Sequence, residues 1–260
     1  MNAFSLTAGR HSSGRHRRNR GRGRWGKILG LVLLVVVVAL LYKYAKDVDW
    51  NAVHKAVLEI PRTAIAGAAA ATVLGYLAYA GMDALGRRYT GNRIAYWKVI
   101  GVSMISYAVN LNLGMLLGGV GVRMRLYMRL GCRKSLPARV AIFSGVSNWI
   151  GYGWVAGVVF LSGGVPLPPS VAAGAEALRL TGFALLVLSL IYVLACWRYP
   201  KRTWLVRGWR IVLPTLRMAI AQSVVSICSW TAMALAIYLL LQARVPFVAV
   251  LGVLLYSAVA

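Results

Sequence analysis

The chain has 260 residues, 60% of them hydrophobic and 13% charged, and its 30 Lys and Arg against five acids give a formal net charge of +25. A soluble domain carries about a quarter charged residues, so this composition excludes an ordinary cytosolic globule and points to an all-α, polytopic helical membrane protein. Cys132, Cys196 and Cys228 form no CxxC pair, and His11, His16 and His54 lie outside the apolar runs, which excludes a disulfide framework and a metal site; no cofactor motif is present.

Residues 1–27 hold eight of the basic residues, among Gly and Ser and without periodicity, which predicts a disordered tail. Its "RGRGR" at 20–24 resembles an RNA-binding segment only superficially. Attraction to an anionic inner leaflet accounts for it without a specific nucleic-acid partner. The run "ILGLVLLVVVVALLY" at 28–42 is followed by no small-x-small cleavage site. An uncleaved first span over about 28–45 is expected, with Lys43 snorkelling and the N-terminus in the cytoplasm.

Within 46–62, Trp50, Val53, Val57 and Ile60 recur at helical spacing, which predicts a short interfacial helix on the outer side. The span 64–82, "AIAGAAAATVLGYLAYAGM", returns inward, and its small residues suit close helix packing. Asp83 follows, four residues before Arg87, and an i, i+4 pair explains this acid. Arg87, Arg88, Arg93 and Lys98 then mark a cytoplasmic loop.

Residues 99–122 pose a topological problem. If they crossed once, Arg123, Arg125, Arg129, Arg133, Lys134 and Arg139 would lie outside, against the positive-inside rule. Downstream, 140–161 and 180–197 are spans, the loop 162–178 has no basic residue, and the loop to 217 carries six. Counting back puts the arginine ladder inside. Residues 99–122 therefore start and finish on the cytoplasmic side, yet are too few for two crossings of about 20 residues each. A re-entrant helical hairpin, broken near its middle, resolves this, with the glycines at 118, 119 and 121 in its return. A further span covers 218–241, and a partial one covers 247–260, where the chain stops mid-helix and reads as C-terminally incomplete.

Broken backbone at membrane depth is tolerated only against protein or a watery cavity. Tyr107, Asn110 and Asn112 lie near the hairpin tip, where amides could pair the broken ends or touch a lipid headgroup. Gly118, Gly119 and Gly121 suit positive φ or close helix approach; no strand precedes them, which excludes a dinucleotide fingerprint. Arg123, Arg125 and Arg129 are candidates for phosphate capture, because guanidinium binds phosphate bidentately, with Arg125, Arg129 and Arg133 forming one helical stripe. Asn148, beside Trp149, is a polar residue expected to face the bundle.

The stretches "YKYAKDVDWNAVHKAV", "YAVNLNLGMLLGGVGVRMRLYMRLG", "SNWIGYGWVAGVVF" and "FVAVLGVLL" resemble the YbhN-like inner membrane proteins. These are similar to the transmembrane, flippase region of lysylphosphatidylglycerol synthases. The resemblance covers about residues 28–260, and "GGVGVR" followed by "RLY" is its most specific piece. It implies a bacterial inner-membrane, multi-pass protein that moves lipid. The lysyl-transferring domain of the synthases is missing, so that activity is not implied. Family members continue with a second Gly-rich hairpin, consistent with the abrupt end at Ala260.

The expected function is binding or translocation of an anionic phospholipid. The alternative is a non-transporting scaffold that docks a lipid-modifying enzyme or glycosyltransferase as protein partner on its cytoplasmic face. Paired acids, His clusters and nucleophile–base sets are lacking, so an enzyme is not expected; a membrane-embedded transferase ranks last.

Overall fold

A computed structural model describes residues 35, 43, 46, 49–113, 120–132, 135–163, 165, 174–206 and 209–259. The basic tail, most of the first expected span, Gly118, Gly119, Arg133 and Lys134 lie outside the described residues. The chain divides into two compact units, Met1–Glu59 and Ile60–Ala260.

In the first unit, helix α1 (Trp50–Leu58) coincides with the short helix expected from its apolar spacing. The Asp49 carboxylate accepts the Asn51 N–H at 3.0 Å, satisfying a donor that the first turn leaves open.

The second unit is a helical bundle. Helix α2 (Arg62–Tyr89) begins after Pro61, whose carbonyl accepts the N–H groups of Ala64 and Ile65. It stops at Thr90, whose hydroxyl bonds back to the Gly86 carbonyl, and Gly91 at φ +66° then turns the chain. Helix α3 (Tyr96–Leu113) and the short α4 (Gly121–Arg129) follow. Helix α5 (Ser135–Leu161), α6 (Gly174–Arg198), α7 (Leu216–Leu240) and α8 (Phe247–Ser257) complete it. Between α6 and α7 a two-stranded antiparallel ribbon, β1 (Thr203–Val206) and β2 (Trp209–Val212), pairs Trp204 with Ile211 and Val206 with Trp209. The sequence reading held this stretch as a plain basic loop. The Tyr89 hydroxyl donates to the Val212 carbonyl and so ties the ribbon to the end of α2.

Helices α2, α6 and α7 are long and apolar enough to cross a membrane. Their outward faces show why: Leu180, Phe183, Leu188, Ile191 and Leu194 of α6 are all exposed, an arrangement suited to hydrocarbon rather than water. Helix α5 carries buried residues along its length, from Val140 to Phe160, with Ile142, Val146, Trp149 and Val158 exposed on its other face. It approaches α6 through glycine: a β-carbon on Gly157 would stand 2.5 Å from Leu186 Cγ, so only a residue without a side chain permits this spacing.

Several polar groups inside are paired across helices. Gln222 of α7 donates to Ser147 of α5 at 2.7 Å and accepts from the Tyr192 hydroxyl of α6 at 2.8 Å. The Tyr152 hydroxyl donates to the Leu255 carbonyl, seating α8 against α5. Tyr152, Val155, Val159, Ala234, Leu251 and Leu255 form an apolar cluster there. A second cluster, Val99, Val102, Tyr127 and Val140, joins the beginnings of α3 and α5 to the end of α4.

That second cluster shows how 96–129 folds. Tyr127, near the end of α4, is fully buried against Val99 and Val102, near the start of α3, so the chain has doubled back. The arms are unequal: α3 has 18 residues and α4 has 9. Residues 114–119, between the two helices, lie outside the described residues. Arg123, Arg125 and Arg129 all lie on α4, the helix expected to carry the arginine stripe.

Candidate functional site

Asp83 and Arg123 form an ion pair inside the bundle, Oδ2 to Nε 3.4 Å, with side chains 0% and 6% exposed. This corrects the local reading of the sequence. Arg87, the expected i, i+4 partner, turns away: its Nε–H donates to the Ile94 carbonyl and its guanidinium lies 3.9 Å from the Tyr96 ring centroid. Asp83 accepts a hydrogen bond from Ser144 of α5 instead. An uncompensated charge in this apolar setting would be costly, so acid and base hold each other in place.

Arg123 is placed by α4 periodicity. Positions 123 and 127 share one helix face and are buried, whereas Arg125 and Arg129 share another and are exposed. The guanidinium has five N–H donors. Against them stand the ion pair with Asp83 and one long bond to the Tyr79 hydroxyl at 3.5 Å. Donor capacity remains.

Arg123 lines a cavity of about 280 Å³ between α2, α3, α4, α5 and α7, together with Tyr79, Tyr107, Asn110, Asn148 and Trp149 among others. One wall is an aromatic stack: Tyr79 and Tyr107 lie parallel at 3.8 Å, with Tyr76 edge-on to Tyr107 at 5.0 Å. The Tyr107 hydroxyl reaches Met233 sulfur at 3.2 Å. The opposite wall is fixed by the Asn148 carbonyl, which accepts from Ser226 at 3.2 Å and from the Trp230 indole at 3.3 Å. Asn110 Oδ1 is buried without a hydrogen-bond partner, and Trp149 is 57% exposed.

Of the residues singled out in the sequence, the cavity thus gathers Tyr107, Asn110, Arg123 and Asn148. Gly121 begins α4 beside it. Asn112 is exposed, its amide bonded to the Ala108 carbonyl of its own helix at 2.8 Å. Arg125 and Arg129 do not line it. Sequence reasoning missed Tyr79, Tyr152, Ser229 and Trp230 as lining residues, and missed that Asp83 belongs to Arg123. The available signal was that Asp83 is the only acid of its apolar run, so a cation had to reach it.

Among the described residues, no three His, Cys, Asp or Glu side chains gather to hold a metal ion. A second, shallower hollow of about 600 Å³ lies at the basic end, lined by Asn92–Ala95 and Lys98 on one side and by Leu130–Cys132, Ser135 and Leu136 on the other.

No family model matches the chain. It is similar to the inner membrane protein YbhN of Escherichia coli (strain K12), 38% identical over 245 residues that cover 93% of this chain and 77% of that protein. It is also similar to an uncharacterized protein, slr0712, of Synechocystis sp. (strain ATCC 27184 / PCC 6803 / Kazusa), 25% identical over 235 residues covering 89% and 73% of the two chains.

Proposed function

The chain belongs to the family of the inner membrane protein YbhN, and from that premise we propose that it binds the phosphate headgroup of an anionic phospholipid in the Arg123 cavity and passes it between leaflets. In this reading α3 and α4 form a re-entrant hairpin that starts and ends on the cytoplasmic face, and the chain is multi-pass with its N-terminus inside. The positive-inside rule supports that orientation, since Arg87, Arg88, Lys98, Arg139, Arg198 and Lys201 all border one end of the bundle.

One observation carries the reading: a buried guanidinium with unused donors on the wall of a polar and aromatic cavity. The volume, about 280 Å³, is just under the roughly 300 Å³ at which pockets begin to hold drug-sized ligands. A headgroup fits and two acyl chains do not. The tails would stay in hydrocarbon beyond Trp149, a largely exposed member of the wall. Arg123 would grip the phosphate, and Asn110 and Asn148 would offer amide groups to headgroup hydroxyls.

Movement of fluorescent phosphatidylglycerol in proteoliposomes tests this. The intact protein should accelerate loss of leaflet asymmetry over protein-free liposomes, and the paired variant Asp83→Asn with Arg123→Gln, which removes the guanidinium without stranding the acid, should abolish the effect. Equal movement by both would refute the proposal. No lipid movement, with one protein crosslinked stoichiometrically to the basic end, would favour a scaffold.

A further inference from the structure

The cation of the cavity is shared between two claimants. Arg123 compensates Asp83, and the same side chain lines the cavity with donors to spare. A bound phosphate would draw Arg123 toward itself and weaken its hold on the acid. We propose that Asp83 is a proton site coupled to the cavity: a phosphodiester that takes Arg123 leaves the Asp83 carboxylate to bind one proton from solvent, so headgroup and proton load together. This rests on the headgroup reading of the cavity and extends it by naming the coupled ion.

Charge balance favours the coupling. Without ligand the site holds one carboxylate and one guanidinium, net zero. With ligand it holds a carboxylic acid, the guanidinium and one phosphodiester anion, again net zero. Loading the anion without the proton would leave an excess negative charge inside an apolar bundle, the costlier arrangement.

The surroundings of Asp83 fit proton exchange. Arg123 and Tyr127 face it from α4, the Ser103 hydroxyl from α3 and the Ser144 hydroxyl from α5. On its own helix Arg87 is turned away, and the only charged residue of α7, Arg217, is exposed in its first turn. Arg123 is therefore the one cation paired with it among the described residues. Ser144 donates to Asp83 and can instead accept from the acid O–H once it forms.

A polar line leads from this pair to the cavity. Ser103, Ser106 and Asn110 fall at i, i+3 and i+7 on one face of α3; Ser103 faces Asp83, and the side-chain oxygens of Ser106 and Asn110 are buried without a hydrogen-bond partner, as is the Tyr127 hydroxyl. Buried hydroxyls left unpaired are unfavourable in a purely structural role. Hydroxyls that pass a proton need a vacant lone pair.

The test uses the full chain in detergent and dihexanoyl phosphatidylglycerol, a soluble phosphodiester whose own acidity lies well below neutral pH. Titration calorimetry in two buffers of different ionisation enthalpy counts protons per lipid bound. The expected result is about one proton taken up per lipid, with affinity rising about tenfold for each unit fall in pH while Asp83 is ionised in the unliganded protein. Asp83→Asn should bind the lipid with no proton uptake and no pH dependence. If that variant fails to fold, the proton count on the unaltered protein decides alone. Lipid binding with zero uptake and a flat pH profile would overturn the coupling and leave the headgroup reading standing. No binding at any pH would overturn both.

Discussion

Gly151 of α5 lies directly against Ser226 of α7: a β-carbon on Gly151 would stand 2.0 Å from Ser226 Oγ and 2.8 Å from its backbone carbonyl carbon. Ser226 is one of the two residues that donate to the Asn148 carbonyl, so this contact also fixes a wall of the cavity. Gly151→Ala forces α5 and α7 apart, because backbone cannot rotate aside as a side-chain tip can. Overpacking of this kind costs about 1–3 kcal/mol. Thermal unfolding in detergent should show the loss, and lipid movement should fall with it. A variant with an unchanged Tm would mean that the two helices are not in contact there.

Asp83 and Arg123 should be strongly non-additive. Replacing either alone leaves the other buried and unpaired, at a cost of about 3–5 kcal/mol, whereas replacing both by neutral residues removes the liability. Asp83→Ala and Arg123→Ala should each lower the denaturation midpoint sharply. Asp83→Asn with Arg123→Gln should lower it less than either. Additive losses in the double variant would show that the two side chains do not interact, and Asp83 would then need another partner.

Those two positions also mark where the sequence was legible and where it was not. The expected spans 64–82, 140–161 and 180–197 fall within α2, α5 and α6, and 218–241 overlaps α7 to its last residue; α2, α6 and α7 have the length and composition that hydrocarbon imposes on a crossing helix. Each helix proves longer than its apolar run, since hydropathy cannot see that a basic turn such as Arg87–Tyr89 continues the hydrogen-bond ladder. Arg123 was legible as a cation and illegible as a buried one. In the string "RMRLYMR" it looks like Arg125 and Arg129, and only packing against Asp83, some 40 residues away in sequence, sets it apart. Local pairing rules favour Arg87 for the same reason: they see neighbours on one helix and nothing across helices. The ribbon of β1 and β2 was hidden by its charge. Its strands "TWLV" and "WRIV" are separated by Arg207-Gly208, a two-residue hairpin spacing that the topological use of those arginines obscured.

Arg125 and Arg129 should matter little to the fold. Both are exposed, and neither touches the cavity. Arg125→Gln with Arg129→Gln should leave stability within about 0.5 kcal/mol of the parent, as for surface substitutions away from special features. Lipid movement should persist, with a weaker preference for anionic over zwitterionic vesicles that disappears in high salt. Loss of all movement in a folded double variant would shift the headgroup contact from Arg123 to this outer face.

Cys132 offers a test of orientation and of local burial together. It follows α4 in the turn at Gly131, with its N–H bonded to the Tyr127 carbonyl at 3.1 Å, and partial burial pushes its thiol above the ordinary value. The thiolate is the form that alkylates, so a raised value means less thiolate at neutral pH and slower labelling than for a free thiol. With Cys196 and Cys228 replaced by Ala, the maleimide rate of the folded protein should still climb about tenfold per pH unit where a small free thiol has begun to level off. Unfolding should abolish the difference. An impermeant maleimide should label inside-out vesicles and leave intact right-side-out ones unmodified, because the basic end faces the cytoplasm in the proposed topology. Labelling from the outer face would invert that topology, and the hairpin of α3 and α4 would then have to open to the other side.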